Sequence, residues 1–468
     1  MNLMHLDRYF RSIMVDEVNM EKQEQGPVTN NDSVSVLPVE AMRKLLPSII
    51  TRYVIGARVI DPFEGRKDAV AIEDSIGKVK LSLQDYSTVT GIGNQILSEF
   101  GITRVVPAHQ IIQIYDRARE IIESMIDKRS GMNGVVMIKD QGGCGYWRMV
   151  LPSRYMDRTG IYIDVTGAPV EYNHLLEYQT VVVQRLHDWE SVDILGRLKN
   201  AGKRIIYDID DDLFSIPEEN PASKAIGRSE QMAALECMKL ADVVTVSTSV
   251  LQAKLTSMLG KAPVILRNAI DPDDGWQATP FTGSPDGWKR IFWQGSNTHD
   301  EDWDECFEAV DHIMMARDDV RVVILGFLPS RIQESMNQAH WKGRIEFMGS
   351  LDPEAYFKLI KHVRAEVGLA PLRGTVFNSS KSNIKWMENS MIGMPTVASD
   401  IEGYSDCIDH GETGFLCSTP EEWFEAIEKC LDSEVLRKGM VEKARQVIRS
   451  EFNIKTVAGT WKDIIEGT

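Results

Sequence analysis

From about residue 132 the chain alternates short apolar runs with amphipathic stretches, and this alternation restricts the fold more than any other feature. Gly134-Val135-Val136-Met137-Ile138, Ile161–Val165, Thr180–Gln184, Arg204–Tyr207 and Val243–Val246 are apolar runs of the kind that strands buried on both faces show. Helical stretches separate them. Strand alternating with helix calls for a parallel sheet with right-handed crossovers and helices on both faces. A second series begins at Arg290-Ile291-Phe292-Trp293 and continues through Val320–Leu325, Arg344–Met348, Ala365–Leu369 and Thr396–Ser399. Two such series imply two Rossmann-like α/β domains, at 132–284 and 285–450, connected through the segment from Pro263 to Gly287. A ligand of such a protein belongs in the cleft at the carboxyl ends of the strands.

Residues 1–131 carry mixed signals and form an N-terminal extension with no function legible in it. Residues 1–20 have the pattern of a short amphipathic helix, 18–35 read as a polar linker, and Tyr53–Ile55 and Ala69–Ile72 read as strands. His109–Lys128 reads as a helix, from the spacing of Ile111, Ile114, Ala118, Ile121, Ile122 and Met125. This extension is also where self-association of the chain is expected.

The net charge of −17 provides no general basic field to collect nucleic acid. Cys144, Cys237, Cys306, Cys407, Cys417 and Cys430 include no CxxC pair, so they read as apolar thiols of a reducing, cytoplasmic environment. No apolar run reaches the roughly eighteen residues that a membrane span requires.

Phe377 to Asp400 reads FNSSKSNIKWMENSMIGMPTVASD and concentrates the chemistry. Ser379, Ser380, Ser382 and Asn383 are cap-type residues, and Ile384, Met387 and Met391 then recur at helical spacing. Gly393 ends the helix, Pro395 bars its continuation, and Thr396–Ser399 comes next as a strand. The free N–H groups and positive dipole end of such a helix suit a phosphate, and Lys381 and Lys385 add mobile positive charge beside it. Glu388 stands one turn further on, where a carboxylate can accept from a pair of sugar hydroxyls. A nucleoside diphosphate carrying a substituent satisfies all three features.

These residues resemble the GT-B fold and, within it, glycosyltransferase family four, the retaining nucleotide-sugar transferases. Gly368-Leu369-Ala370-Pro371-Leu372 is similar to that family's strand before the donor loop. Gly393-Met394-Pro395-Thr396-Val397-Ala398-Ser399 is similar to its GxPVVAS strand, and Gly411-Glu412-Thr413-Gly414-Phe415-Leu416 to its GxTGxLV turn. The stretch Phe452 to Ile465 resembles the closing helix that crosses back to the first domain, which assigns 451–468 to it. The resemblance implies an enzyme, a glycosyltransferase that takes a sugar from a UDP-sugar or another nucleoside-diphosphate sugar and passes it, with retention, to an acceptor. It implies that Glu388 holds the ribose hydroxyls. The family's other glutamate falls on Ser380, which cannot replace a carboxylate facing the sugar. The family's arginine and lysine for the diphosphate have no counterpart in Gln294-Gly295-Ser296-Asn297-Thr298-His299-Asp300, so Lys381, Lys385 and Arg373 are the expected substitutes. No cofactor is expected beyond the donor. YDIDDDLF resembles transferases of bacterial viruses and of bacterial surface-polymer clusters.

The remaining candidates come from the strand-end turns. Asp208-Ile209-Asp210-Asp211-Asp212 admits three readings, a DxD metal site, acceptor-side carboxylates at the cleft floor, or loop capping. The metal reading is set aside because a helix N-terminus and lysines already serve the diphosphate, and Asp210 and Asp211 are carried forward with His299 and Lys381 as catalytic candidates. Gly143, Gly145 and Arg148 come after the first strand, where backbone and a guanidinium can approach an anion, and Gly295, Ser296, Ser382 and Asn383 complete the donor set. Trp386, Met387 and Met391 read as core. A binding protein on a degenerate frame and a nucleotide-sugar epimerase are the competing functions. Saccharide, protein side chain and hydroxymethylated DNA base are all compatible acceptors.

Overall fold

The computed structural model describes Ile50, Gly93, residues 95–99, 114, 117–121, 134–138, 143–156, 163–166, 172–176, 178–274, 276, 286–351 and 353–467. The expected helix at 1–20, the linker at 18–35, the strands at 53–55 and 69–72 and residues 139–142, between the first strand and Gly143, lie outside the described residues. Within His109–Lys128, Ile114 and residues 117–121 are helical. By internal contacts the chain divides into a unit of residues 1–132 with 169–175, and a larger unit of 133–168 with 176–468.

Two six-stranded parallel sheets organise the larger unit. The first holds β1 (Gly134–Ile138), β2 (Ile163–Thr166), β3 (Thr180–Gln184), β4 (Arg204–Ile209), β5 (Val243–Val246) and β6 (Val264–Ile265), in the spatial order β2-β1-β3-β4-β5-β6. The second holds β7 (Lys289–Gly295), β8 (Val320–Gly326), β9 (Ile345–Gly349), β10 (Val367–Ala370), β11 (Thr396–Ser399) and β12 (Phe415–Cys417), in the order β12-β11-β10-β7-β8-β9. The second order is the Rossmann order, which reverses between β7 and β10; the first reverses between β1 and β3. Loops leave a sheet in opposite directions at such a reversal and open a crevice there. The ends of β1, β3, β7 and β10 are therefore where ligand residues should gather.

Sequence patterns account for most of these elements. β3 is buried along its whole length, as its unbroken apolar run requires. Two strands fall where the sequence suggests none. Val264–Ile265 adds the edge strand β6 at the start of the inter-domain segment, and Phe415–Cys417 of the GxTGxLV turn forms β12. Both are too short to show a period.

The helices that frame the cleft and the domain junction are α1 (Leu151–Met156), α2 (Ser249–Leu259), α3 (Pro353–Ile360), α4 (Ile384–Met391), α5 (Glu434–Glu451) and α6 (Ile454–Glu466). α1 continues a π-helical turn, Tyr146–Val150. Gly368 lets α4 lie directly against β10, because a Cβ there would meet Asn389 Nδ2 at 2.3 Å.

The last helix joins the first sheet. Thr180 donates to the Ile465 carbonyl at 3.5 Å and Arg204 to the Ile464 carbonyl at 3.0 Å. The bridge between Ile270 and Asn453 returns the chain across the connecting segment, with Ile270 N–H donating to Phe452 O at 2.9 Å. One apolar cluster runs through both domains here. It takes Trp147, Tyr155 and Met156 from the first, Trp386, Met387 and Met391 from α4, Ile448 from α5, Phe452 from the turn that follows it, and Trp461 and Ile465 from α6. Trp461 is 1% exposed within it, so Trp461→Ala should cost roughly 3–5 kcal/mol. Chemical denaturation of the two proteins checks this; a loss under about 1 kcal/mol would mean that α6 is not docked in solution.

Candidate functional site

A cleft of about 530 Å³ lies between the two sheets at these strand ends. From the first domain it is lined by Gly143, Cys144, Tyr146, Trp147, Asp210 and Asp211. From the second come Gln294, Gly295, Ser296, His299, Lys381, Ser382, Lys385 and Glu388, with Tyr356 and Phe357 of α3. Ten of the fourteen residues singled out in the sequence thus meet in one place: Gly143, Asp210, Asp211, Gly295, Ser296, His299, Lys381, Ser382, Lys385 and Glu388. The glycine at the end of β8 shapes the wall. Gly326 has φ +106°, and a Cβ there would strike the Gly295 carbonyl at 2.3 Å.

Asn383 caps α4 with its backbone, accepting from Met387 N–H at 3.1 Å, and no side chain caps the first turn. The opening amides of α4 are thus left for a ligand. Lys385, in that turn, is buried enough that its ammonium is held down at about 8. Lys381 Nζ lies 3.6 Å from Asp211 Oδ1 across the cleft and 4.5 Å from the centre of the Phe377 ring.

Glu388 is 2% exposed, and burial raises its carboxyl to about 7. Gln294 Nε2 and Tyr356 Oη both donate to Oε2, at 2.8 and 3.0 Å. Oε1 is buried with no hydrogen-bond partner among the described residues. A buried acceptor in that state costs free energy until something donates to it.

The acidic turn after β4 divides into two pairs. Asp208 is fully buried; it accepts from Arg148 Nε at 3.0 Å and from Thr245 at 2.6 Å. Asp212 pairs with Lys254 of α2 and accepts from Phe214 N–H at 3.0 Å. Those two carboxylates hold the loop. Asp210 and Asp211 reach the cleft and share Arg185, whose NH1 lies 3.6 Å from Asp210 Oδ1 and 3.2 Å from Asp211 Oδ2. Burial lifts Asp210 to about 6. Burial also opposes ionisation of Asp211, but Lys381 and Arg185 outweigh it and bring the carboxyl below its usual range. Neighbouring carboxylates with proton affinities moved apart are typical of functional sites. Cys144, Asp210 and Asp211 offer ligand atoms within 4.8 Å of one another. The Arg185 guanidinium already stands among them, 2.8 Å from Cys144 Sγ, and supplies the positive charge that a cation would bring.

Four residues expected in the site are elsewhere. Arg148 does not face an anion, since it is 2% exposed and its guanidinium is occupied by Asp208, the Leu266 carbonyl and Asn268. Gly145 is buried in the turn before α1. Arg373 pairs with Glu301 at 2.8 Å and Glu219 at 3.3 Å beside a separate hollow of about 220 Å³. Asn383 faces the far side of the loop, in a hollow of about 40 Å³ with Arg267 and Phe452. At the position of the family's other glutamate, the Ser380 hydroxyl donates to the Phe377 carbonyl at 2.7 Å, so it too turns inward.

The sequence does not single out Arg185, Tyr356 or the aromatic group that lines the cleft. Tyr146 stacks on Phe357 at 4.3 Å between centroids, and Trp147 meets Phe357 edge-on at 5.4 Å. Arg185 offered one signal, its place just past β3 at the reversal of the first sheet. It has φ 57°, the one non-glycine residue with positive φ among those described, a strain that clusters at functional sites.

The raised Glu388 carboxyl has a consequence for stability. The native state holds this proton above the unfolded carboxyl range, so the contribution is complete at low pH and is lost as pH rises through about 7. Glu388→Gln should remove that dependence and gain stability over the parent as pH rises from about 5 to about 8, by on the order of 2–3 kcal/mol at the alkaline end. Paired denaturation curves across that range check it; parallel pH profiles would show Glu388 to be solvated.

The comparisons agree with this architecture. Residues 289–433 match the family model for glycosyl transferases group 1. The chain is 21% identical over 150 residues to N-acetyl-alpha-D-glucosaminyl L-malate synthase of Bacillus anthracis, a match covering 31% of this chain and 37% of that relative. Among solved structures, HepE of Anabaena in complex with UDP superposes with a TM-score of 0.54 at 11% identity, over 72% of this chain and 100% of that one. Sucrose-phosphate synthase of Thermosynechococcus elongatus gives 0.54 at 14% identity, over 72% and 98%. A glycosyltransferase of Rickettsia africae gives 0.51 at 13%, over 72% and 98%. The chain has the GT-B fold, and its second domain carries the glycosyl transferases group 1 match.

Proposed function

We propose that the chain is a glycosyltransferase that binds a nucleoside-diphosphate sugar in the inter-domain cleft and transfers the sugar to an acceptor with retention of configuration. One observation carries the reading. An uncapped helix start, two lysines and a buried carboxylate with a free oxygen converge on the same cleft, spaced along a single helix and the loop that opens it. The α4 amides, Lys381 and Lys385 would take the diphosphate, and Glu388 Oε1 would accept from the ribose hydroxyls. The structural neighbour HepE binds UDP, which favours UDP as the first nucleotide to test.

In such a transfer the bond from the anomeric carbon to the diphosphate oxygen breaks with positive charge developing on the sugar. The diphosphate leaves with that electron pair, stabilised by the helix dipole and the lysines before any acceptor bond is complete. Asp211, a cleft-lining carboxyl that Lys381 and Arg185 keep below its usual range, would offset the sugar's positive charge. The acceptor hydroxyl then attacks from the face the diphosphate vacates and passes its proton to the departing phosphate. No metal enters this scheme, because the acidic pair already carries Arg185 and Lys381.

Released nucleoside diphosphate, read by mass spectrometry across a panel of nucleotide sugars, tests the activity. No release and no binding with any member would end the reading. Lys385→Ala should weaken donor binding by about one to two decades, since a charge-assisted contact is worth roughly 1.5–3 kcal/mol. Unchanged titration isotherms would reduce Lys385 to a helix-solvating residue. Turnover should persist in excess chelator; complete loss, restored by Mg²⁺ or Mn²⁺, would return the acidic turn to the role of a metal site.

A further inference from the structure

His299 sits in the turn after β7 and lines the cleft, and its neighbours fix which ring nitrogen carries the proton. Asp302, 4% exposed, accepts at Oδ1 from the Arg373 backbone N–H at 2.9 Å and from the Asn378 amide at 2.8 Å. Its Oδ2 lies 2.7 Å from His299 Nδ1. The hydrogen bond from His299 itself helps hold this carboxyl below its usual range, against the opposing effect of burial. An ionised carboxylate only accepts, so Nδ1 must donate. The lone pair is then on Nε2, for which no protein partner exists among the described residues. Burial, with Lys385 and Lys381 nearby, keeps the ring from protonating until about pH 4.

A ring nitrogen bearing a lone pair cannot bond to an ionised phosphate oxygen, which is also an acceptor. It needs an O–H. In the proposed donor site, on which this inference rests, the diphosphate belongs to α4 and the lysines and the ribose hydroxyls to Glu388. The remaining hydroxyls are those of the sugar being transferred and that of the acceptor, and in the proposed transfer the acceptor's proton goes to the departing phosphate. His299 lines the same cleft as Lys381, Lys385 and Asp211 and is near enough to interact electrostatically with all three. We infer that His299 Nε2 accepts a hydrogen bond from one hydroxyl of the donor sugar and selects sugars that present it. The ring acts as a specificity determinant that neither binds phosphate nor moves a proton. Asp302, held by the two donors on Oδ1, is its positioning residue.

The test compares the full-length parent with His299→Ala and His299→Gln by calorimetry. The probes are UDP, a set of UDP-hexoses, and the monodeoxy analogues of the hexose the parent binds best. Thermal unfolding is monitored alongside to confirm that both variants are folded. His299→Ala should bind UDP within about twofold of the parent and bind the nucleotide sugar roughly tenfold more weakly. One monodeoxy analogue should bind parent and His299→Ala alike, which identifies the hydroxyl read. His299→Gln, which can present an amide oxygen, should recover part of the loss. Equal weakening of UDP and nucleotide sugar would overturn the inference and make the ring a phosphate ligand. No weakening of either would overturn it too and leave the ring structural. A parent that binds neither UDP nor any nucleotide sugar overturns the donor reading first, and this inference with it.

Discussion

A single buried guanidinium sets the geometry on which the cleft depends. Arg148 enters from the turn before α1 and reaches Asp208 at the end of β4, the Leu266 carbonyl just past β6, and Asn268 in the inter-domain segment. Asn268 in turn donates to Ser382 Oγ at 2.7 Å, so the chain of bonds ends at the loop that opens α4. Taking this cation out of water is unfavourable in itself, and it is tolerated because every direction of the fork finds an acceptor. An ion pair of this kind contributes less to net stability than to uniqueness. Any sliding of the first domain against the donor loop would break the Asn268–Ser382 bond, whose donor Arg148 holds in place.

The same loop is gripped at two more points. The Thr248 hydroxyl donates to the Ser380 carbonyl at 2.9 Å, and Lys381 reaches Asp211. Three consecutive residues of the second domain are thus each tied to a different element of the first. The amides at the start of α4 therefore face the cleft under control of both domains, and a shift in the inter-domain angle must alter the proposed diphosphate site. α3 offers a second link. Tyr356 holds the Glu388 carboxyl while its neighbour Phe357 stacks on Tyr146 of the first domain.

The fold was legible because parallel strands declare themselves as unbroken apolar runs, as in Thr180–Gln184 and Val320–Gly326. α4 was legible because its cap residues, spacing and Gly393-Met394-Pro395 stop are all local. What failed depended on partners distant in sequence. Arg148 looked like an anion ligand because nothing in its neighbourhood shows that Asp208, 60 positions on, will occupy it. Arg373 failed for the same reason, with Glu301 72 positions away. Arg185 and Tyr356 carry no motif, and their roles come from where strand ends and a helix face meet. The acidic turn fell between these cases. That it mattered was local information, but which carboxylates are structural and which face the cleft was decided by Thr245, Lys254 and Arg185.

The charges around the cleft are compressed into an arrangement that is only partly satisfied by the protein itself. Lys385 is half-buried with its ammonium destabilised, Glu388 is buried with one oxygen unpartnered among the described residues, and Asp210 is pushed toward its protonated form. Each is unfavourable in the same sense, since desolvation acts on a group whose partner is missing or shared. The three would not be relieved by one simple ion. An anion beside Lys385 leaves Glu388 without a donor, and a cation beside Asp210 meets Arg185. A ligand with a negative centre at the start of α4 and hydroxyl donors one turn along it relieves Lys385 and Glu388 together. That combination argues for a nucleoside diphosphate more strongly than either residue does alone.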